Sequence, residues 1–174
     1  MRPAIPLTTV VVAFAIGGCG GGGGTHTIAG HVPTTTTTAS QSNTPAALEQ
    51  AVRSAVQTNA QLSSYVLWHN VVPSWATRST SGPALRALRD SAAERGAQHL
   101  QIRTVSQRVA IVSIGLDPSY LSATAKVRES GSVVSYRRGH PSGHPRQLNE
   151  VAQVELHRMG SSPRFRVWKV GSTR

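Results

Sequence analysis

The chain has 174 residues, a single cysteine, and 18 Lys+Arg against 7 Asp+Glu, for a formal charge of +11. The lone cysteine excludes an internal disulfide framework, so a folded domain here is held by its own core. The positive charge attracts anionic partners, but apart from Lys126 and Lys169 it is carried by arginine. An Arg-, Ala-, Val- and Gly-rich composition also follows from a GC-rich genome.

The first readable segment is a leader. Arg2 precedes an apolar stretch, residues 4–16, that ends in Ile16-Gly17-Gly18-Cys19. A basic start, an apolar middle and two small residues before a cysteine have the layout of a secretory signal. A membrane-embedded peptidase needs small side chains beside the bond it cuts, which Gly17 and Gly18 supply. The thiol of Cys19 is the one side chain here able to form a thioether to a diacylglycerol. The four residues resemble the lipobox of bacterial lipoproteins, with Ile16 where that motif more often has Leu. Cleavage between Gly18 and Cys19 would leave a lipidated N-terminus. The alternatives are an uncleaved anchor or cleavage elsewhere. The stretch is short for a spanning helix, which needs about 20 apolar residues.

Export also redirects the reading of the charge. Outside a bacterial cell the counter-charges are anionic lipid headgroups and acidic wall polymers rather than nucleic acid. A solvated basic surface without a dedicated partner is the competing account.

Residues 20–24 are all glycine, and residues 25–44 contain a Pro33-Thr34-Thr35-Thr36-Thr37-Thr38 block. Phosphate-cradling glycine loops lie between a strand and a helix, and nothing of that kind flanks this run. With almost no large apolar residue, the segment cannot offset its ordering entropy and is expected to be a disordered tether.

A folded domain is expected from Thr44-Pro45 onward, a helix-start pair. Leu48, Val52, Ala55, Val56, Asn59 and Leu62 recur at helical spacing. A second helix is expected over residues 83–95, capped by Ser81 or Gly82, with Leu85, Leu88 and Ala92 buried and Gly96 as its left-handed stop. Short helical turns are expected over residues 63–79, which include Trp68 and Trp75. From residue 97 the period becomes two. Leu100 and Ile102, then Ala110, Val112, Ile114 and Leu116, alternate around an irregular centre, residues 105–109, that reads as a bulge in a bent strand. Asp117-Pro118 turns the chain into a returning strand. There Leu121, Ala123, Ala125 and Val127 share one face, and Ser122, Thr124, Lys126 and Arg128 the other. A loop over residues 138–147 leads to a strand with Ala152, Val154 and Leu156 on one face and Val151, Gln153, Glu155 and His157 opposite. The last strand is expected over residues 164–170.

Helices followed by an antiparallel meander closing on Arg164-Phe165-Arg166-Val167-Trp168-Lys169-Val170 form an α+β arrangement. It resembles the nuclear transport factor 2-like superfamily, in which a curved sheet wraps helices as a cone. The run Ser81-Gly82-Pro83-Ala84-Leu85-Arg86-Ala87-Leu88-Arg89-Asp90 resembles the helix before the sheet in one branch, the IMS domain of chloroplast-division proteins and their bacterial relatives. The run Ala125-Lys126-Val127-Arg128-Glu129 resembles that branch's second strand. The resemblance covers residues 45–170.

The superfamily includes isomerases, cyclases and dehydratases with carboxylates or histidines inside the cone, as well as members without catalysis. A catalytic base has to face the cavity. By parity Glu155, His157, Lys126 and Arg128 face outward. Glu129 has inward parity but is read as a solvated residue at a strand end, and Asp90 and Glu94 as surface ion pairs with arginines. No catalytic residue is therefore assigned. His140 and His144 share a loop that His157 could approach, but glycine and two prolines surround them without Cys or carboxylate, so a solvated loop is preferred to a metal site. No cofactor is assigned. Tyr65, Trp68 and Trp75, beside His69, either line a ligand cavity or fill the core.

The sequence thus divides into a signal peptide (1–18), a lipidated Cys19 with its tether (19–44), and a cone-like α+β domain (45–174). The expected protein is a lipoprotein of the bacterial cell membrane facing outside the cytoplasm. Its domain would be a non-catalytic binding module for an unknown protein or an anionic envelope component, binding neither nucleic acid nor metal. The alternative is a small-molecule binder or an isomerase- or dehydratase-like enzyme using the cone cavity.

Overall fold

The computed structural model describes residues 43–172, so Gly18, Cys19 and the tether up to residue 42 lie outside the described residues. Two helices, α1 (Pro45–His69) and α2 (Gly82–Ala97), flank a 3-10 turn at Ser74–Arg78. The strands come next as β1 (Leu100–Leu116), β2 (Ser122–Arg137), β3 (His140–Pro141), β4 (Arg146–Arg158) and β5 (Phe165–Ser172). The arrangement is α+β, with both helices packed on one curved, open antiparallel sheet of order β1-β2-β4-β5, while the short β3 pairs with the end of β2.

Thr44 caps α1, its side chain accepting from the Ala47 N–H at 3.3 Å, and Pro45 occupies the first turn, where its missing donor costs nothing. The helix then runs past Leu62, where the expected stripe stopped. Val66 and Leu67 extend that stripe, both almost wholly buried. Trp68 consequently belongs to the helix rather than to a connecting segment. The stop is Asn70, in the left-handed region at φ 53, with its N–H donating to Val66 O.

Gly96 is not the stop of α2. It stays helical, and the left-handed residue is His99 at φ 51. The junction is set by the buried Arg95. Its Nε donates to Asn70 Oδ1 at 3.2 Å, Nη2 to Val66 O at 3.4 Å, and Nη1 to Ser91 Oγ. Asn70 in turn donates from Nδ2 to Leu100 O at 2.8 Å. One guanidinium and one amide thereby join the ends of both helices to the start of β1. Burial pushes the Arg95 pKa down, partly opposed by neighbouring Glu94. Among the described residues no ion pair joins Asp90 or Glu94 to an arginine; Glu94 Oε1 accepts from Gln98 Nε2 at 3.4 Å.

β1 bulges twice, between Thr104 and Ser106 and between Ile111 and Ser113. Each extra residue, Val105 and Val112, is thrown out to solvent. Each bulge also switches the parity of the strand residues beyond it. Val109 and Ile111, then Ile114 and Leu116, pack on the core, so Ala110 and Val112 lie outside the buried set expected from simple alternation. Leu121 also departs from the expected face: it sits in the β1–β2 turn and is exposed. Opposite the first bulge stands Gly131, paired with Gln107. A Cβ there would collide with the Ser106 carbonyl oxygen, so the close approach of the two backbones requires glycine.

The outer edge of β5 is partly covered. Ser81 N–H donates to Val167 O at 2.9 Å and Val167 N–H to Ser79 O at 2.8 Å, making Thr80 a one-residue parallel bridge. Fully buried Thr80 donates from Oγ1 to Asn59 Oδ1 of α1 at 2.7 Å. Gly82, at φ +53, lies where the Trp168 ring occupies the place of a Cβ. At the β4–β5 turn, Arg158 Nε donates to Ser162 O at 2.8 Å. Its Nη2 donates to Ser161 O at 3.0 Å and Asn43 Oδ1 at 2.7 Å.

The main core joins Leu48, Val52, Val56 and Ala60 of α1 to Ala123, Ala125 and Val127 of β2, Ala152, Val154 and Leu156 of β4, and Phe165 and Val167 of β5. A smaller cluster joins Leu62, Val66, Ala76, Leu85 and Ala92. In the β1–β2 turn the Asp117 carboxylate accepts from the Ser119 hydroxyl and, at 3.0 Å, the Ser119 N–H. These bonds hold its pKa below the usual carboxylate value.

Two glycines give opposite expectations. Gly131→Ala should lower unfolding stability by about 1–3 kcal/mol through overpacking. Gly96→Ala meets only Asn70 Cβ at 4.0 Å and should raise it by about 0.5–1 kcal/mol; urea titrations of both variants check this. A depressed folded-state pKa contributes stability that is present above the unfolded-state value, about 3.9, and lost as pH falls through the folded-state value. Ser119→Ala should therefore be less stable than the parent near neutrality, with the difference shrinking as pH falls below about 4, as acid-range melting curves would record.

Candidate functional site

The inner face of the sheet holds a carboxyl group. Along β2, Ala123, Ala125 and Val127 point to α1, and Glu129 continues their parity at 3% exposure. It is not a solvated strand-end residue, because β2 continues to Arg137, carried past the bulge by Gly131. Gln107 Nε2 donates to Glu129 Oε1, and Gln107 Oε1 accepts from Ser64 Oγ of α1 at 3.3 Å. Helix, first strand and second strand thus meet in one partly buried polar chain. Glu150 of β4 is the register partner of Glu129, so two carboxyl side chains share the helix-facing side on neighbouring strands. Such a pair is a residue set that general acid–base chemistry uses.

The 123–125–127–129 alternation already aimed Glu129 inward. What hid it was the assumption that the strand ended there. Gln107 could not be placed from sequence, because its facing depends on the bulge at Val105.

The aromatic residues take two directions. Tyr65, partly exposed, meets His69 in a tilted ring contact with centroids 4.3 Å apart and Trp75 edge-on at 6.1 Å. Trp75 packs against the smaller cluster. Trp68 instead meets Tyr136 of β2 edge-on at 5.3 Å.

His157 does not approach His140. His157 pairs with Ser122 at one end of β2, whereas His140 pairs with Arg137 at the other. His157 Nε2 lies 2.8 Å from Glu155 Oε1, and its ring stacks on Trp168 at 4.7 Å and 12°. Among the described residues no group of three or more His, Cys, Asp or Glu is placed to hold a metal ion.

The opposite face of the sheet is polar and basic. Lys126 and Arg128 point out as their parity requires, and Arg108 is exposed beside them. Registers Ala110↔Arg128 and Arg108↔Ser130 make the two arginines diagonal neighbours, a spacing of about 7–8 Å.

No protein-family model matches the sequence, and no curated protein matches it. Among solved structures the fold is similar to the crystal structure of the intermembrane space region of chloroplast protein ARC6. The TM-score is 0.61 and the identity 13%, over 71% of this chain and 94% of that one. At that identity the likeness establishes a shared fold.

If the inner polar chain is a structural clamp, Gln107→Ala should cost about 1–3 kcal/mol of unfolding stability by leaving a buried carboxyl group without that donor. Glu129→Gln keeps an acceptor for Gln107 and should cost less; paired denaturation curves give the order.

Proposed function

We propose that the chain is a lipid-anchored lipoprotein whose domain lies outside the cytoplasm and acts as a non-catalytic binding module. One observation carries the binding-module reading: the concave side of the sheet is filled by the protein's own α1. Leu48, Val52, Val56 and Ala60 are at most 1% exposed against Ala125, Val127, Val154 and Leu156. Chemistry of the cone-cavity type needs that space for a substrate. With it filled, recognition falls to the outer surfaces, where the arginines stand. Support for the anchor is the Ile16-Gly17-Gly18-Cys19 sequence and the glycine run behind it. A location outside the cytoplasm agrees with the fold shared with an intermembrane-space region. A protein or an anionic envelope component is the partner class that fits the charge.

A second reading, a small-molecule binder or isomerase- or dehydratase-like enzyme, is favoured by the inward Glu129 and its register partner Glu150. Ligand-observed NMR with a panel of small carbonyl acids separates the two. Binding abolished by Glu129→Gln would support the enzyme-like reading, and no binding would support the module.

For the anchor, Cys19→Ala should leave unprocessed precursor and abolish incorporation of labelled fatty acid in cells. Each buried methylene contributes about 0.8 kcal/mol, so a diacyl anchor holds firmly where a single chain holds marginally. Unchanged labelling of the variant would remove the anchor from the reading.

A further inference from the structure

We infer that the end of the domain farthest from Asn43 carries a binding site for a phosphate-bearing anion, formed by His99, Arg137, Arg138 and His140. These residues, with Ala97, Gln98, Pro141 and Ser142, line an open depression of about 600 Å³, within the range of small-molecule sites. No Asp or Glu is among the lining residues.

The backbone explains how two consecutive arginines come to share one depression. Successive side chains of a strand point to opposite faces, so Arg137 and Arg138 would normally diverge. Arg138 leaves strand geometry at φ 51, directly before Gly139 at φ 81. Across from it His99 is left-handed as well, at φ 51, and Arg138 N–H donates to His99 O at 3.1 Å. The Ser142 N–H donates to Ser135 O at 2.7 Å and fixes the far side of the turn. Two left-handed non-glycine residues are thereby locked to one another. Such backbone positions persist where surrounding structure holds them, and they concentrate at ligand sites.

The side chains are left available. His99, Arg137, Arg138 and His140 are exposed, and none makes a side-chain hydrogen bond or ion pair among the described residues. Two guanidiniums lining one depression repel one another without a counter-charge. A tetrahedral phosphate relieves that repulsion and offers the oxygen spacing that guanidinium forks match. A phosphate ester in solution and a phospholipid headgroup present the same group.

The site does not rest on the anchor or on the filled concave side, so its failure would leave both readings standing. The test uses the full chain in a neutral detergent. Backbone amide NMR tracks titration with inorganic phosphate and, separately, with dihexanoylphosphatidylglycerol below its micelle concentration. The expected result is saturable movement of the His99, Arg138 and Gly139 amides, with affinity at least tenfold weaker in R137A/R138A and largely kept in R137K/R138K. Both variants should melt as the parent does, since all four side chains are exposed. Response to both probes marks a general phosphate-ester site, and response to the lipid analogue alone marks a headgroup site. Absence of saturable shifts with either probe, or an equal loss of affinity in R108A/R128A on the sheet's outer face, would overturn the inference.

Discussion

The structure depends on covering one side of α1. A 25-residue helix extends about 1.5 Å per residue, and its stripe from Leu48 to Leu67 is buried along nearly its whole length. Each such Val or Leu contributes about 1.5–3 kcal/mol when removed from water, and no second helix is long enough to cover them all. The sheet does so by being small at its centre and bent along its strands. Ala123, Ala125 and Ala152 let the helix sit close, and the bulges at Val105 and Val112 add the local twist and bend that turn a flat ribbon around a cylinder. The other features derive from that wrapping: the glycine facing the first bulge, the bridge along β5, and the buried polar links between layers.

Much of this was legible in the order of residues. Thr44-Pro45, the stripe at 48, 52, 55 and 56, and the clean alternation in β2 and β4 are local signals, and each gave an element of the right kind. What escaped were positions whose facing is set by a partner strand. Val112 looks like a core residue until the bulge is known. Glu129 looks like a strand end until Gly131 is recognised as the point where β1 presses in. Helix ends escaped for a related reason. The stop after α2 is set by Arg95 reaching across to Asn70, a contact between residues 25 apart that no local window contains.

The same division applies to function. The inner face has a carboxyl pair of a kind that catalysis uses, set next to the aliphatic core along the same strands, and Gln107 and Ser64 fix the geometry of Glu129. The outer surface has the reverse character, with guanidinium groups exposed and few carboxylates near them. Among Glu129, Glu150 and Glu155, the glutamates of β2 and β4, only Glu155 belongs to the outer face, and it is already engaged by His157.

The Arg158 contact with Asn43 fixes the pole at which the chain enters the domain. The same pole contains the β4–β5 turn and, through the Arg158 N–H to Leu121 O bond at 2.8 Å, the β1–β2 turn. The capped first turn of α1 and two hairpin tips are thereby tied together beside Asn43. At about 3.3 Å per residue the 16 residues of β2 trace a contour of about 50 Å to the basic turn at the other pole. The entry of the described chain and the basic turn thus lie at opposite ends of one strand pair.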